Sequence, residues 1–75
     1  MIQEVERFQA RTDDGTLHTV IVEQEIKEIR LLDGEKTVFG GMKELFLIDG
    51  RHVTATDDPD TFLIVHTGEI IRRVR

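Results

Sequence analysis

Apolar and polar residues alternate along much of the chain, and the alternation is cut at short intervals by residues that favour tight turns. Phe46-Leu47-Ile48, Val53-Thr54-Ala55 and Phe62-Leu63-Ile64-Val65 are separated by Asp49-Gly50 and by Asp57-Asp58-Pro59-Asp60, and Thr67-Gly68 precedes Ile70-Ile71. Asp14-Gly15, Asp33-Gly34 and Gly40-Gly41 add further breaks, at intervals of 7–19 residues. Asp-Gly and Gly-Gly pairs supply the positive φ angles that hairpin turns require. The segments between them draw on seven Val, eight Ile and eight Thr against two Ala, a balance that favours strands over helices. The pattern predicts a mainly β domain, an antiparallel meander forming a small barrel or roll of five to seven short strands.

The C-terminal half tests this by register. A two-residue loop at Asp49-Gly50 sets Ile48 opposite Arg51, Phe46 opposite Val53 and Glu44 opposite Ala55. A loop at Asp58-Pro59 sets Ala55 opposite Phe62 and Val53 opposite Ile64; one at Thr67-Gly68 sets Ile64 opposite Ile71. Directly opposed residues share a sheet face. Phe46, Ile48, Val53, Ala55, Phe62, Ile64 and Ile71 therefore fall on one side of a four-stranded meander over about residues 44–74. The opposite side carries Leu45, Leu47, Leu63, Val65 and Ile70 among His52, Thr54 and Arg72, more apolar than a solvated face should be. Three arrangements would cover it: the N-terminal strands, a second subunit, or closure into a barrel.

In the N-terminal half, Glu4 to Thr12 and Thr16 to Glu23 flank Asp13-Asp14-Gly15 as a hairpin, with Phe8, Ala10, Val20 and Val22 as core candidates. The segment 23–32 supports two readings. Val22, Ile26, Ile29 and Leu32 have helical spacing and Glu23-Lys27 is a favourable i,i+4 pair, which suits one short helix ending at Gly34. Val20, Val22, Ile26 and Leu32 equally suit a long bent strand, and the neighbouring hairpin turns favour the strand.

Seventy-five residues make a single domain, 1–75, with one small core. A chain of this size buries only about 60% of its unfolded surface and commonly leans on a disulfide, a metal or a partner subunit. Cysteine is absent, which removes disulfides and thiolate zinc sites, raises the expectation of self-association and fits a reducing compartment. No window has the run of about eighteen apolar residues that a membrane span needs, and Met1-Ile2-Gln3-Glu4-Val5-Glu6 lacks the features of a secretory signal. The expected location is cytoplasmic, with no membrane partner. The net charge of −5 argues against a duplex-DNA or anionic-membrane ligand. Acidic residues crowd the first fifty positions, whereas Arg72, Arg73 and Arg75 crowd the end. These arginines read as stems covering an apolar rim, or as a docking site for an acidic surface such as the protein's own acidic half.

Catalytic motifs are missing: there is no G-x-S-x-G elbow, phosphate-binding lysine loop or H-E-x-x-H, and no serine at all. The chain is expected not to be an enzyme and to use no cofactor. His52 and His66, with the Asp57–Asp60 turn, are the candidates for a metal or small ligand, although the register above sends the two rings to opposite faces. With four Phe and no Trp or Tyr, stacking platforms for single-stranded nucleic acid are few, so that partner ranks third.

Asp49-Gly50-Arg51 with Val53, Asp57-Asp58, Thr61-Phe62-Leu63-Ile64-Val65-His66-Thr67-Gly68-Glu69 and Arg72-Arg73-Val74 resemble the ending of small uncharacterised bacterial β-proteins of proteobacterial type. The resemblance covers about the last third of the chain. It implies a bacterial cytoplasmic origin and a stand-alone domain, and no substrate, cofactor or functional residue. The expectation is a non-enzymatic protein-interaction or self-associating module. Its candidate contact is the terminal strand, treated as a sheet edge: Ile70, Arg72, Arg73, Val74 and Arg75.

Overall fold

Three of the turns in the computed structural model, which describes residues 1–74, are built the same way. In Asp13-Asp14-Gly15, Leu32-Asp33-Gly34 and Ile48-Asp49-Gly50 the third residue is a glycine at φ 91°, 90° and 94°. Each glycine donates its N–H to the carbonyl three residues back: Gly15 to Thr12 (3.0 Å), Gly34 to Leu31 (3.0 Å) and Gly50 to Leu47 (2.8 Å). The aspartate before it accepts from the amide two residues on, at 3.0 Å from Thr16, 3.0 Å from Glu35 and 3.1 Å from Arg51. These are three-residue loops with a left-handed last residue, a standard alternative to the two-residue hairpin.

The strands they connect are β1 (Ile2–Thr12), β2 (Leu17–Arg30), β3 (Lys36–Leu47), β4 (His52–Ala55), β5 (Thr61–Ile64) and β6 (Ile70–Arg73). All neighbours are antiparallel, and the six close into a barrel in sequence order. No helix occurs among the described residues; the segment 23–32 lies in the long strand β2 and the turn after it, not in a short helix.

The loop length corrects one predicted register. With three loop residues at Ile48-Asp49-Gly50, Phe46 pairs with His52 and Leu45 with Val53. A one-residue slip exchanges the two faces of a strand. Leu47 is therefore buried and Leu45 packs against the core, while Ile48, expected inside, is 66% exposed. The next hairpin has the expected pairing, Val53 with Ile64 and Ala55 with Phe62, although Ala55 remains exposed. The last loop is longer than predicted: Gly68 N–H bonds the Ile64 carbonyl at 2.8 Å, and Ile71 pairs with Phe62 instead of Ile64. A shift of two residues preserves the face, so Ile71 stays buried.

The core gathers Ala10, Val20, Val22, Leu47, Val53, Phe62, Ile64 and Ile71, with Phe8 packed at its margin. The four core candidates from the N-terminal hairpin are all there. Gly40-Gly41 is not a turn; it lies within β3, where the pairs Gln24–Lys43 and Ile26–Gly40 leave an extra residue on β3. A Cβ on Gly40 would come within 2.6 Å of the Gln24 Nε2, and that amide donates to the Gly41 carbonyl at 2.9 Å. Glycine lets the Gln24 side chain lie across the bulge.

Beyond the bulge β2 and β3 pair only with each other. β1 accompanies β2 no further than the reciprocal bonds between Met1 and Ile26, and β4 joins β3 only from Leu45. A two-stranded ribbon therefore projects from the barrel. The radius of gyration is 15.6 Å and the long dimension 56 Å, against about 11 Å expected for the radius of a compact chain of this length.

Candidate interaction surface

β2 alternates without interruption, so its odd and even residues define the two faces of the ribbon. Even positions Val20 and Val22 enter the core, and odd positions face outward. On the outward face Ile21 pairs with Arg7 and Phe46, Glu23 with Glu4 and Glu44, Lys27 with Phe39, and Ile29 with Thr37. Ile2 pairs with Glu25, and the bulge sets Met42 near it. The result is a continuous stripe with apolar residues near the barrel, a row of glutamates, and apolar residues again toward the tip.

Much of that stripe is uncovered. Ile2 is 70% exposed, Met42 86%, and Phe39, Ile29 and Leu31 between 44% and 49%. Near the barrel, Ile21, Phe46 and Ile48 line a shallow groove together with Glu4 and Glu23. On the opposite face of the ribbon Arg30 pairs with Lys36, the Lys36 ammonium lies 3.2 Å from the Glu28 carboxylate, and Val38, opposite Glu28, is 64% exposed. An isolated two-stranded ribbon is marginal in water.

Its electrostatics are also unresolved within one chain. Directly opposed like charges destabilise a sheet. Arg7 answers Glu4 at 2.8 Å and, by that hydrogen bond, holds its carboxyl below the usual carboxylate range. Among the described residues no cation bridges Glu23 or Glu44.

The predicted contact strand is placed differently. β6 is not an edge, because it pairs with β5 on one side and with β1 on the other through Ala10–Arg73, Arg11–Arg72 and Thr12–Ile71. Barrel closure uses the hydrogen bonds that an edge would offer. Arg72 reaches Asp13 at 3.4 Å; Arg73 lies over the Phe8 ring and bridges Glu6 at 3.0 Å. Val74 donates to the Gln9 carbonyl at 2.9 Å, Ile70 is partly exposed, and Arg75 lies outside the described residues.

His52 and His66 both line one depression with Arg51 and Val65, and the Val65 N–H bonds the His52 carbonyl at 3.1 Å. The His52 ring packs at a tilt against Phe46, with centroids 4.8 Å apart. The Asp57–Asp60 turn sits at the far end of the β4–β5 hairpin, where Thr56 and Asp58 side chains bond local backbone. Among the described residues no three His, Cys, Asp or Glu side chains are grouped to hold a metal ion.

Sequence reasoning missed the outward stripe of Lys27, Ile29, Phe39 and Met42. A three-residue loop at Leu32-Asp33-Gly34 would have paired Ile29 with Thr37 and Lys27 with Phe39, as observed. No family model matches the chain, and no curated protein or solved structure shows significant similarity to it.

Proposed function

We propose that this protein is a non-enzymatic interaction module that self-associates, through the outward face of the β2–β3 ribbon. The observation that carries the reading is the uncovered apolar stripe on a ribbon that no other strand supports. A second protein surface would remove Ile29, Phe39 and Met42 from water, at about 25 cal/mol for each Å² of apolar area covered. The proposed setting is the bacterial cytoplasm, on the strength of the C-terminal resemblance and the absence of cysteine. No helix among the described residues is long and apolar enough to cross a membrane.

Sedimentation equilibrium tests the reading. The unaltered chain is expected to sediment as an oligomer, and the double variant Ile29→Lys, Phe39→Lys as a monomer with unchanged far-UV circular dichroism. An oligomer indifferent to both substitutions would place the contact elsewhere. A second reading, a small-ligand or metal site, is favoured by one observation, that His52 and His66 both line one depression. Imidazole NMR shifts that stay fixed on addition of Zn²⁺ or Mn²⁺ would remove its metal form.

A further inference from the structure

The outward stripe has an internal symmetry that names its occupant. On β2, Glu25 stands midway between Glu23 and Lys27, and also midway between Ile21 and Ile29. One side of Glu25 therefore reads acid then apolar, and the other base then apolar. We infer that the ribbon packs face to face on a second copy of this chain. The two-fold axis runs across the strands at the Glu25 row, a deepening that rests on the self-association proposed above.

The operation reverses strand direction and keeps the lateral order of strands. It lays Lys27 over Glu23 of the second copy, one strand away from that copy's Glu44. It also lays Ile29 over the second copy's Ile21, beside its Phe46. Met42, 86% exposed, and Glu25 both come to the axis and meet their own symmetry mates, while Glu44 lies over the second copy's Phe39. The contact is isologous, as in most soluble dimers, and aligned packing of two such faces is a common way for sheets to bury apolar side chains.

Charge argues for a copy of this chain over an unrelated partner. In an extended strand, residues four apart are separated by about 13 Å, and Lys27 makes no bridge to Glu23 of its own chain. Among the described residues Lys27 has no acidic partner and Glu23 no basic one. Both are answered at once when the stripe meets itself in reverse, and the repulsion within the Glu23–Glu44 pair falls as a cation approaches it.

The test is a charge exchange read by native mass spectrometry and sedimentation equilibrium. The unaltered chain is expected to be a dimer. Lys27→Glu and Glu23→Lys are each expected to weaken it by a factor on the order of a hundred. An equimolar mixture of the two variants is expected to regain a one-to-one heterodimer, because each contact then pairs opposite charges. That recovery also shows that both variants are folded. Single variants that dimerise like the unaltered chain, or a mixture that stays monomeric, would overturn this two-fold contact and leave self-association intact. An unaltered chain that is monomeric at millimolar concentration would overturn both.

Discussion

The guanidinium carbon of Arg73 lies 3.9 Å from the centroid of the Phe8 ring, and that ring in turn meets Phe62 at 5.1 Å. The stack joins β6 to β1 at the barrel seam, from a cation at the surface to an aromatic ring in the core. Glu6 bridges the guanidinium at 3.0 Å, and the buried Nε of Arg73 has no hydrogen-bond partner. The planar group is held by the ring face and one carboxylate. Arg73→Ala is expected to lower stability by about 1–2 kcal/mol in urea denaturation. Arg73→Lys should recover only a minor part, since an ammonium keeps the charge without the flat stacking surface. Full recovery by lysine would mean that charge alone matters at the seam.

Asp14 gives the first turn a pH dependence. Its carboxylate accepts from the Thr12 hydroxyl and the Thr16 amide, which hold it down to about 2 from an ordinary 3.8. A carboxyl with a depressed folded-state pKa contributes stability above its unfolded value and loses it as pH falls through the folded one. The unaltered protein should therefore weaken between pH 3.8 and about 2 through this turn. Asp14→Ala is expected to flatten that part of the curve, read as the urea midpoint at several pH values. An unchanged slope would assign the acid sensitivity to other carboxyls.

Gly50 decides which side of β3 faces the core. At φ 94° it closes the three-residue loop, and a Cβ placed there meets nothing within 4 Å. Substitution is strained by backbone conformation alone, without a clash. Gly50→Ala is expected to cost about 1 kcal/mol, a fall of roughly 4–8 °C in Tm for a domain of this size. Gly50→Asn should lose less, because asparagine tolerates the left-handed region. Equal losses would point to something other than φ at this position.

The β architecture was legible in the sequence because its signals are local. Asp-Gly pairs, β-branched segments and alternation act over a few residues, and they sufficed for an all-β barrel and for the first hairpin with Phe8, Ala10, Val20 and Val22 on its inner side. They sufficed for the Val53–Ile64 register as well. They misplaced Phe46, Ile48 and Leu47, because Asp-Gly fits a two-residue or a three-residue loop and the difference inverts the strand. A distinction between the two requires knowing which side of β3 meets Val20 and Val22.

Other features depended on tertiary structure entirely. Gly40-Gly41 has the composition of a turn, and only pairing with Gln24 and Ile26 turns it into a bulge in a long ribbon. Ile70 to Arg73 had the makings of an edge, until closure against Ala10, Arg11 and Thr12 gave every strand two neighbours at the barrel. Glu4, Glu23 and Glu44 are far apart in sequence, and only the three-strand register lines them up. By itself the sequence determined that this chain forms antiparallel strands joined by tight turns, since those preferences reside in single residues and their neighbours. Which strand ends stayed unpaired, and which charges came face to face, was decided by contacts between distant residues, because closing the barrel fixes every register at once.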